Sequence, residues 1–130
     1  MIVVDASAIF EVVAQGSHRD AVISVLLEQE DAAAPAILDA EVLGIIRRDR
    51  LRGLLDATGA DVAIRDLRTW PGARVPITAL IERAWELRGN VRVWEAFYVA
   101  LAEALEVPLI TMDHRLARAA GPRCEFITIP

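Results

Sequence analysis

The sequence predicts an α/β fold in which a central parallel sheet is covered by helices on both faces. Short apolar runs alternate with longer segments whose apolar residues recur at helical spacing. This alternation is typical of parallel sheets, because both faces of such a sheet are buried under helices. No repeat, low-complexity tract or linker interrupts the 130 residues, so we expect a single domain spanning residues 1–130.

The elements follow one another in a regular order. Apolar runs predict five strands, at residues 2–5, 32–35, 74–77, 108–112 and 126–129. The segments between them predict helices at residues 7–15, 18–30, 37–52, 59–70, 78–88, 93–105 and 113–120. Ser7 and Thr78 are expected to cap the helices that they begin. Breaks are supplied by Gly16-Ser17, Gly53, Pro71-Gly72 and Gly89-Asn90.

Two of these helices are expected to contact the core most closely. Helix 37–52 carries an inward apolar face, formed by Leu38, Val42, Ile45 and Ile46. Helix 93–105 is almost wholly apolar, and its aromatic residues Trp94, Phe97 and Tyr98 are most simply read as core residues.

Composition excludes several classes of function. No run approaches the ~18 apolar residues of a membrane span, and the N-terminus lacks the features of a secretory signal, so we expect a cytoplasmic protein. The single cysteine, Cys124, fits a reducing compartment, and the scarcity of Cys and His argues against a Cys/His zinc site. All 14 basic residues are Arg, which excludes a P-loop and a Lys Schiff base. The net charge of −5 argues against a protein that coats nucleic acid, although local contacts stay open.

Four acidic residues occur where carboxylates are costly, and they are the best indication of function. Asp5 and Asp113 end two apolar strands, Glu41 lies on the inner stripe of helix 37–52, and Glu95 opens the apolar helix 93–105. Ligands of parallel sheets bind beyond the carboxyl ends of the strands, where both aspartates are expected. Converging carboxylates repel one another, and a hard divalent cation such as Mg²⁺ relieves this repulsion.

Each of these residues also has a plainer interpretation. Asp5 and Asp113 could simply cap the helices that follow them. Glu95 could be present because the helix macrodipole favours an acidic side chain at a helix N-terminus. Glu41 could extend to solvent or pair with an arginine.

Neighbouring polar residues could support the site. Ser7 and Thr111 stand two residues from the aspartates, and their hydroxyls could orient a carboxylate or a metal-bound water, or act only in turns. Arg47 and Arg48 follow Glu41 on its helix and could bind RNA phosphates or an acidic partner segment, or form a solvated face.

These segments together resemble the PIN domain, specifically the VapC-type toxins of bacterial toxin–antitoxin pairs. The matching segments are MIVVDASA, LDAEVLGIIRR, VWEAFYVALAEALEVPLITMD and HRLARA, and the resemblance covers the whole chain. It implies a three-layer α/β/α fold and an endoribonuclease that depends on Mg²⁺, or on Mn²⁺ as a substitute. It also implies a VapB-type antitoxin whose tail blocks the active site, a homodimer, and operator DNA contacted only through the antitoxin complex.

The family's acidic residues match positions in this chain individually. Its first aspartate matches Asp5, its helix glutamate matches Glu41, and its TxD-type acid matches Asp113, with Thr111 beside it. The remaining family acid is usually Asp, where this chain has Glu95. The extra methylene moves the carboxylate by ~1.5 Å, the length of one carbon–carbon bond.

The resulting hypothesis is metal-assisted hydrolysis of RNA. Asp5, Glu41 and Asp113 would hold one or two Mg²⁺ ions, and Glu95 would contribute to the second. Two alternatives stay open. One is a catalytically weak module that sequesters its antitoxin and binds operator DNA, which Glu95 favours. The other is a DNA-directed nuclease of similar chemistry.

Overall fold

A five-stranded parallel sheet forms the centre of the protein, which a computed structural model describes for all residues from Met1 to Pro130. The strands are β1 (Ile2–Val4), β2 (Ala32–Pro35), β3 (Ala73–Val75), β4 (Leu109–Thr111) and β5 (Phe126–Thr128). The helices are α1 (Ala6–Val13), α2 (Arg19–Leu27), α3 (Leu38–Leu51), α4 (Ala57–Thr69), α5 (Ile81–Glu86), α6 (Val93–Leu105) and α7 (His114–Ala117). A single 3-10 turn, Thr78–Leu80, precedes α5. The predicted α/β fold with a parallel sheet is confirmed.

The order of the strands places one crevice at the middle of the sheet. The order is β3-β2-β1-β4-β5, so the chain first builds outward from β1 on one side and then crosses to the other. β1 pairs with β4, with Val3 opposite Leu109 and Val4 opposite Ile110. Because the strands are parallel, the carboxyl ends of β1 and β4 meet at one edge, at the point where the order reverses.

Apolar side chains from helices and strands form one continuous core. It contains 31 buried residues, including every residue of β1. α6 buries seven consecutive residues, from Ala96 to Ala102, which explains why its sequence is apolar on all sides. α3 is buried only at Leu38, Val42 and Ile46, the stripe expected for a helix with one face on the core. No helix combines the length and the apolar character needed to cross a bilayer.

Several local predictions are wrong, and each error has a physical cause. Asp5 rather than Ser7 caps α1, because its carboxylate accepts the backbone N–H of Ala8. Thr78 makes no capping hydrogen bond, and its segment starts as a 3-10 turn. α7 ends at Ala117, well before residue 120. Trp94 is 61% exposed, because it lies on the first turn of α6, before the helix enters the core.

Candidate functional site

Asp5 lies at the end of β1, and both of its carboxylate oxygens are engaged. Oδ1 accepts hydrogen bonds from the Ser7 hydroxyl at 2.6 Å and from the Ala8 N–H at 3.0 Å. Oδ2 accepts one from the Thr111 hydroxyl. The residue is 6% exposed, and burial raises the pKa of its carboxyl despite these donors. Asp5 is therefore a helix cap and also a fixed carboxylate at the crevice.

The two hydroxyls predicted to support the site hold the ends of β1 and β4 together. The Ser7 oxygen accepts the N–H of Met112 at 3.0 Å while its own proton is donated to Asp5. The Thr111 oxygen accepts the N–H of Asp113 at 3.0 Å in the same way. Each hydroxyl thus links the carboxylate of one strand to the backbone that follows the other. The position of Asp5 relative to Asp113 is fixed by hydrogen bonds rather than by loop packing.

Glu41 points from α3 toward the crevice and is poorly satisfied. Its Oε1 is buried without a hydrogen-bond partner, as is the hydroxyl of Tyr98 on α6. Burial raises the pKa of Glu41 to about 7; the proximity of Tyr98 lowers it, and the charges of Asp5 and Glu95 raise it further. No arginine pairs with Glu41, and one of its two carboxylate oxygens is shielded from solvent.

Glu95 and Asp113 form a coupled pair. Asp113 caps α7, where its Oδ1 accepts the N–H groups of Arg115 at 2.9 Å and Leu116 at 3.3 Å. Partial burial raises the pKa of Asp113, but these backbone donors and the side chain of Glu95 bring it below its usual value. Burial and the charge of Asp113 raise the pKa of Glu95. The pair therefore behaves as two carboxyl groups that retain one proton more readily than isolated groups would.

All four predicted carboxylates influence one another electrostatically. Asp113 raises the pKa of Asp5, and Asp5 raises the pKa of both Glu41 and Glu95. As placed, no three acidic side chains come close enough to hold a metal ion. The donors are nevertheless all oxygens, and one of them, Oε1 of Glu41, is buried without a partner. This donor set fits a hard divalent cation, which would supply the missing interaction.

The arginines are placed less simply than the sequence indicated. Arg47 and Arg48 are exposed on α3, and Arg48 lies beside Asp49 with an Nε–Oδ1 distance of 3.2 Å. Two further arginines, Arg92 and Arg115, border the acidic site directly, and they were not predicted from the sequence. They line a cleft of about 170 Å³ that also includes Glu95. The sequence indicated their place beside the acidic site only through their positions, three residues before Glu95 and two after Asp113.

A larger cavity lies elsewhere and takes no part in the site. It measures about 510 Å³ and is lined by the end of α6 and by the segments that precede β4 and β5, including Cys124. It therefore opens at the amino ends of these strands, opposite the carboxylates. Burial raises the pKa of Cys124 to about 11, so its thiol is not activated.

Comparison with known proteins agrees with this geometry. The PIN domain family matches residues 2–122. The chain is 42% identical over 125 residues to ribonuclease VapC1 of Mycobacterium tuberculosis, which covers 95% of this chain and 94% of that protein. It is 39% identical over 118 residues to ribonuclease VapC3 of the same organism, covering 91% of this chain and 86% of that protein. The structure of VapBC2 from Rickettsia felis, bound to a DNA fragment from its promoter, superimposes with a TM-score of 0.70 at 13% identity over 100% of both chains. The chain therefore belongs to the PIN domain family and is one of its VapC-type members.

Proposed function

We propose that this protein is a toxin endoribonuclease that hydrolyses RNA phosphodiester bonds with the help of Mg²⁺, or of Mn²⁺ as a substitute. The observation that carries the proposal is the group of four interacting carboxylates at the carboxyl ends of β1 and β4, in a chain of the VapC type. RNA as the substrate is supported by relatives that are named ribonucleases. The Ser–His contact between Ser17 Oγ and His18 Nδ1, at 3.2 Å, joins adjacent residues and is exposed to solvent, and Cys124 lies at the other end of the sheet, so neither offers another route.

The residues that would hold the cation are Asp5, Asp113, Glu41 and Glu95. A bound divalent cation supplies Lewis-acid chemistry, polarising the phosphoryl oxygen and making water a nucleophile at neutral pH. Asp5 contributes a fixed charge, because its hydrogen bonds leave it little freedom to rotate. Glu41 and Glu95, which are freer of such bonds, would adjust to the cation and to the substrate.

A carboxylate with a raised pKa also suits proton transfer. In the metal-free protein, Glu41, with its pKa near 7, would exchange a proton readily at neutral pH, whereas the buried Tyr98 hydroxyl beside it and a bound cation would both favour its charged form. We propose that the fold uses Ser7 and Thr111 to hold the site open in a single geometry. They position the carboxylates and do not react themselves.

The proposed partners are a VapB-type antitoxin and a second copy of the chain. The likeness to VapBC2 supports the antitoxin, and operator DNA would be contacted only through that complex. A homodimer is supported by the exposed apolar residues Ile81 and Trp85, which are four residues apart and share one face of α5. Trp85→Glu should convert a dimer to a monomer in light scattering, whereas Leu27→Glu on α2 serves as an exposed control.

The decisive experiment measures cleavage of RNA and DNA of the same sequence over a Mg²⁺ and Mn²⁺ titration. Parent protein should cut RNA only with metal present, and Asp5→Asn should not cut it. Calorimetry without substrate should show Mg²⁺ binding that Asp5→Asn and Asp113→Asn both weaken. Equal cutting of DNA would establish the nuclease alternative. Metal binding without any cutting would favour the weak antitoxin-binding module that the Glu95 substitution suggested.

A further inference from the structure

The cleft beside Glu95 has the composition of an anion site, although it adjoins four acidic residues. Its walls come from the turn before α6, the first turn of α6, and α7. It is lined by Asn90, Arg92, Glu95, Arg115, Leu116 and Ala119. Because Glu95 belongs both to this cleft and to the acidic site, a ligand in the cleft would lie directly beside the place where RNA is cut.

The guanidinium groups of the two arginines in the cleft are not occupied by hydrogen bonds within the protein. Other arginines of this protein are saturated: Arg74 makes hydrogen bonds to the Asp39 carboxylate and to three backbone oxygens, and Arg83 is bound to Glu103 and Glu86. Arg92 makes no side-chain hydrogen bond that caps α6, and its charge lowers the pKa of Glu95. Arg115 approaches Asp113 only to 3.9 Å and is 69% exposed. Both guanidinium groups therefore have donors available for a ligand.

The volume of the cleft fits a phosphate group. A volume of about 170 Å³ equals that of roughly six water molecules at ~30 Å³ each. This is enough for a phosphate group with its closest waters. Guanidinium groups bind phosphate oxygens in a forked, two-point geometry, and the Asn90 amide can add a neutral donor.

We infer that this cleft holds the phosphate group next to the bond that is cut, with Arg92 and Arg115 as its ligands. The inference rests on the proposed ribonuclease function and identifies how a polyanion is held against an acidic site. Four carboxylates repel the RNA backbone, and two uncommitted arginines at their border offset that repulsion. Arg47 and Arg48, by contrast, begin six residues beyond Glu41 along α3, a displacement of about 9 Å at 1.5 Å per residue. They would contact a more distant part of the strand.

Salt dependence of RNA binding tests the inference. A short single-stranded RNA is titrated by fluorescence anisotropy in the Asp5→Asn background, which prevents cleavage. Each phosphate contact adds about −0.7 to the slope of log K against log salt for single strands. Because both arginines hold the same phosphate, the double variant Arg92→Ala, Arg115→Ala should flatten the slope by about 0.7. Affinity should fall about tenfold for each arginine, the effect expected for one charged hydrogen-bonding group. Arg65→Ala is the matched control, since Arg65 is 67% exposed on α4 and contacts only Asp66.

A chemical version of the experiment locates the phosphate. A series of RNAs, each with one neutral methylphosphonate linkage, is bound to the same proteins. Neutralising one linkage beside the cleavage site should weaken binding to the Asp5→Asn protein but not weaken binding to the protein that also lacks both arginines. Arg92→Lys with Arg115→Lys should keep the salt slope and lose affinity, because the charge stays and the fork is lost. Thermal unfolding of each variant checks that it folds.

The outcomes separate this inference from the proposed function. If the parent cuts RNA while both arginine variants keep the slope and affinity of Arg65→Ala, the cleft inference is wrong and the ribonuclease stands. If the variants bind RNA normally but lose affinity for an antitoxin, the cleft serves the inhibitor and the inference is again wrong. If the parent neither binds nor cuts RNA, both proposals fall together.

Discussion

The charge on Glu41 should destabilise the metal-free protein at neutral pH. Its pKa rises from 4.5 to about 7 on folding, chiefly through burial. The folded protein therefore binds more protons than the unfolded chain between these two values, and stability falls as the pH rises through this window. Each pH unit between them is worth about 1.4 kcal/mol, so the full effect above pH 7 is about 3 kcal/mol as an upper value. Partial exposure of the side chain reduces this figure, and we expect about 2 kcal/mol.

Glu41→Gln isolates this contribution because glutamine imitates the protonated carboxyl. Urea unfolding in EDTA should show the variant about 2 kcal/mol more stable than the parent at pH 8 and nearly equal to it at pH 4.5. Glu82→Gln makes the same chemical change on the exposed surface of α5. It should leave the difference in unfolding free energy between pH 4.5 and pH 8 the same as in the parent. Added Mg²⁺ should stabilise the parent more than Glu41→Gln, since a ligand that binds only the folded state raises stability by mass action. If parent and Glu41→Gln show the same dependence on pH and on Mg²⁺, the buried carboxylate is not a cation ligand and the reasoning fails.

Three further predictions concern the same site. Thr111→Val should lower stability by about 2 kcal/mol, because a buried carboxylate loses a charged hydrogen bond, and should reduce cleavage more than tenfold. Thr128→Val, at the paired position of β5, is the control, and an equal effect of both variants would show that Thr111 acts only as a strand residue. Glu95→Asp should keep or increase cleavage and Glu95→Gln should lower it without loss of thermal stability; identical metal titrations for all three forms would remove Glu95 from the site. Replacing Arg47 and Arg48 together by Ala should weaken RNA or antitoxin binding and flatten its salt dependence, and parental affinity and salt slope would leave them a solvated face.

Most of the fold could be predicted from the sequence because local signals agree with it. β2 and α6 have the bounds that the apolar pattern indicated, 32–35 and 93–105. In β2 and in the middle of α6, burial leaves a run of apolar residues that marks the element clearly. Element ends were harder where two residues compete for one role. Asp5 and Ser7 can both cap α1, and the choice depends on a hydroxyl donor from Thr111, 106 residues away.

Predicting the site from the sequence had a different limit. The expectation that acidic residues at strand ends converge follows from parallel topology, and the structure places them within electrostatic reach of one another. The arginine cleft could not be predicted in this way. Arg92 and Arg115 lie 23 residues apart in the sequence, and only the packing of α7 beside the start of α6 brings them to one cleft. Composition had suggested clustered arginines on α3, where they are close in sequence.

The four carboxylates differ in how far a structural role can explain their presence. Asp5 and Asp113 accept backbone hydrogen bonds as helix caps, so a structural role accounts for part of their presence. Glu41 has no such account, because a buried oxygen without a partner and a raised pKa both weaken the fold. Glu95 is likewise held against another carboxylate. A chain that retains unfavourable groups at one place, while its other local choices agree with the fold, is expected to use them there. The case for a cation site therefore rests most on the two glutamates, and their variants are expected to change activity with less effect on folding than variants of the capping aspartates.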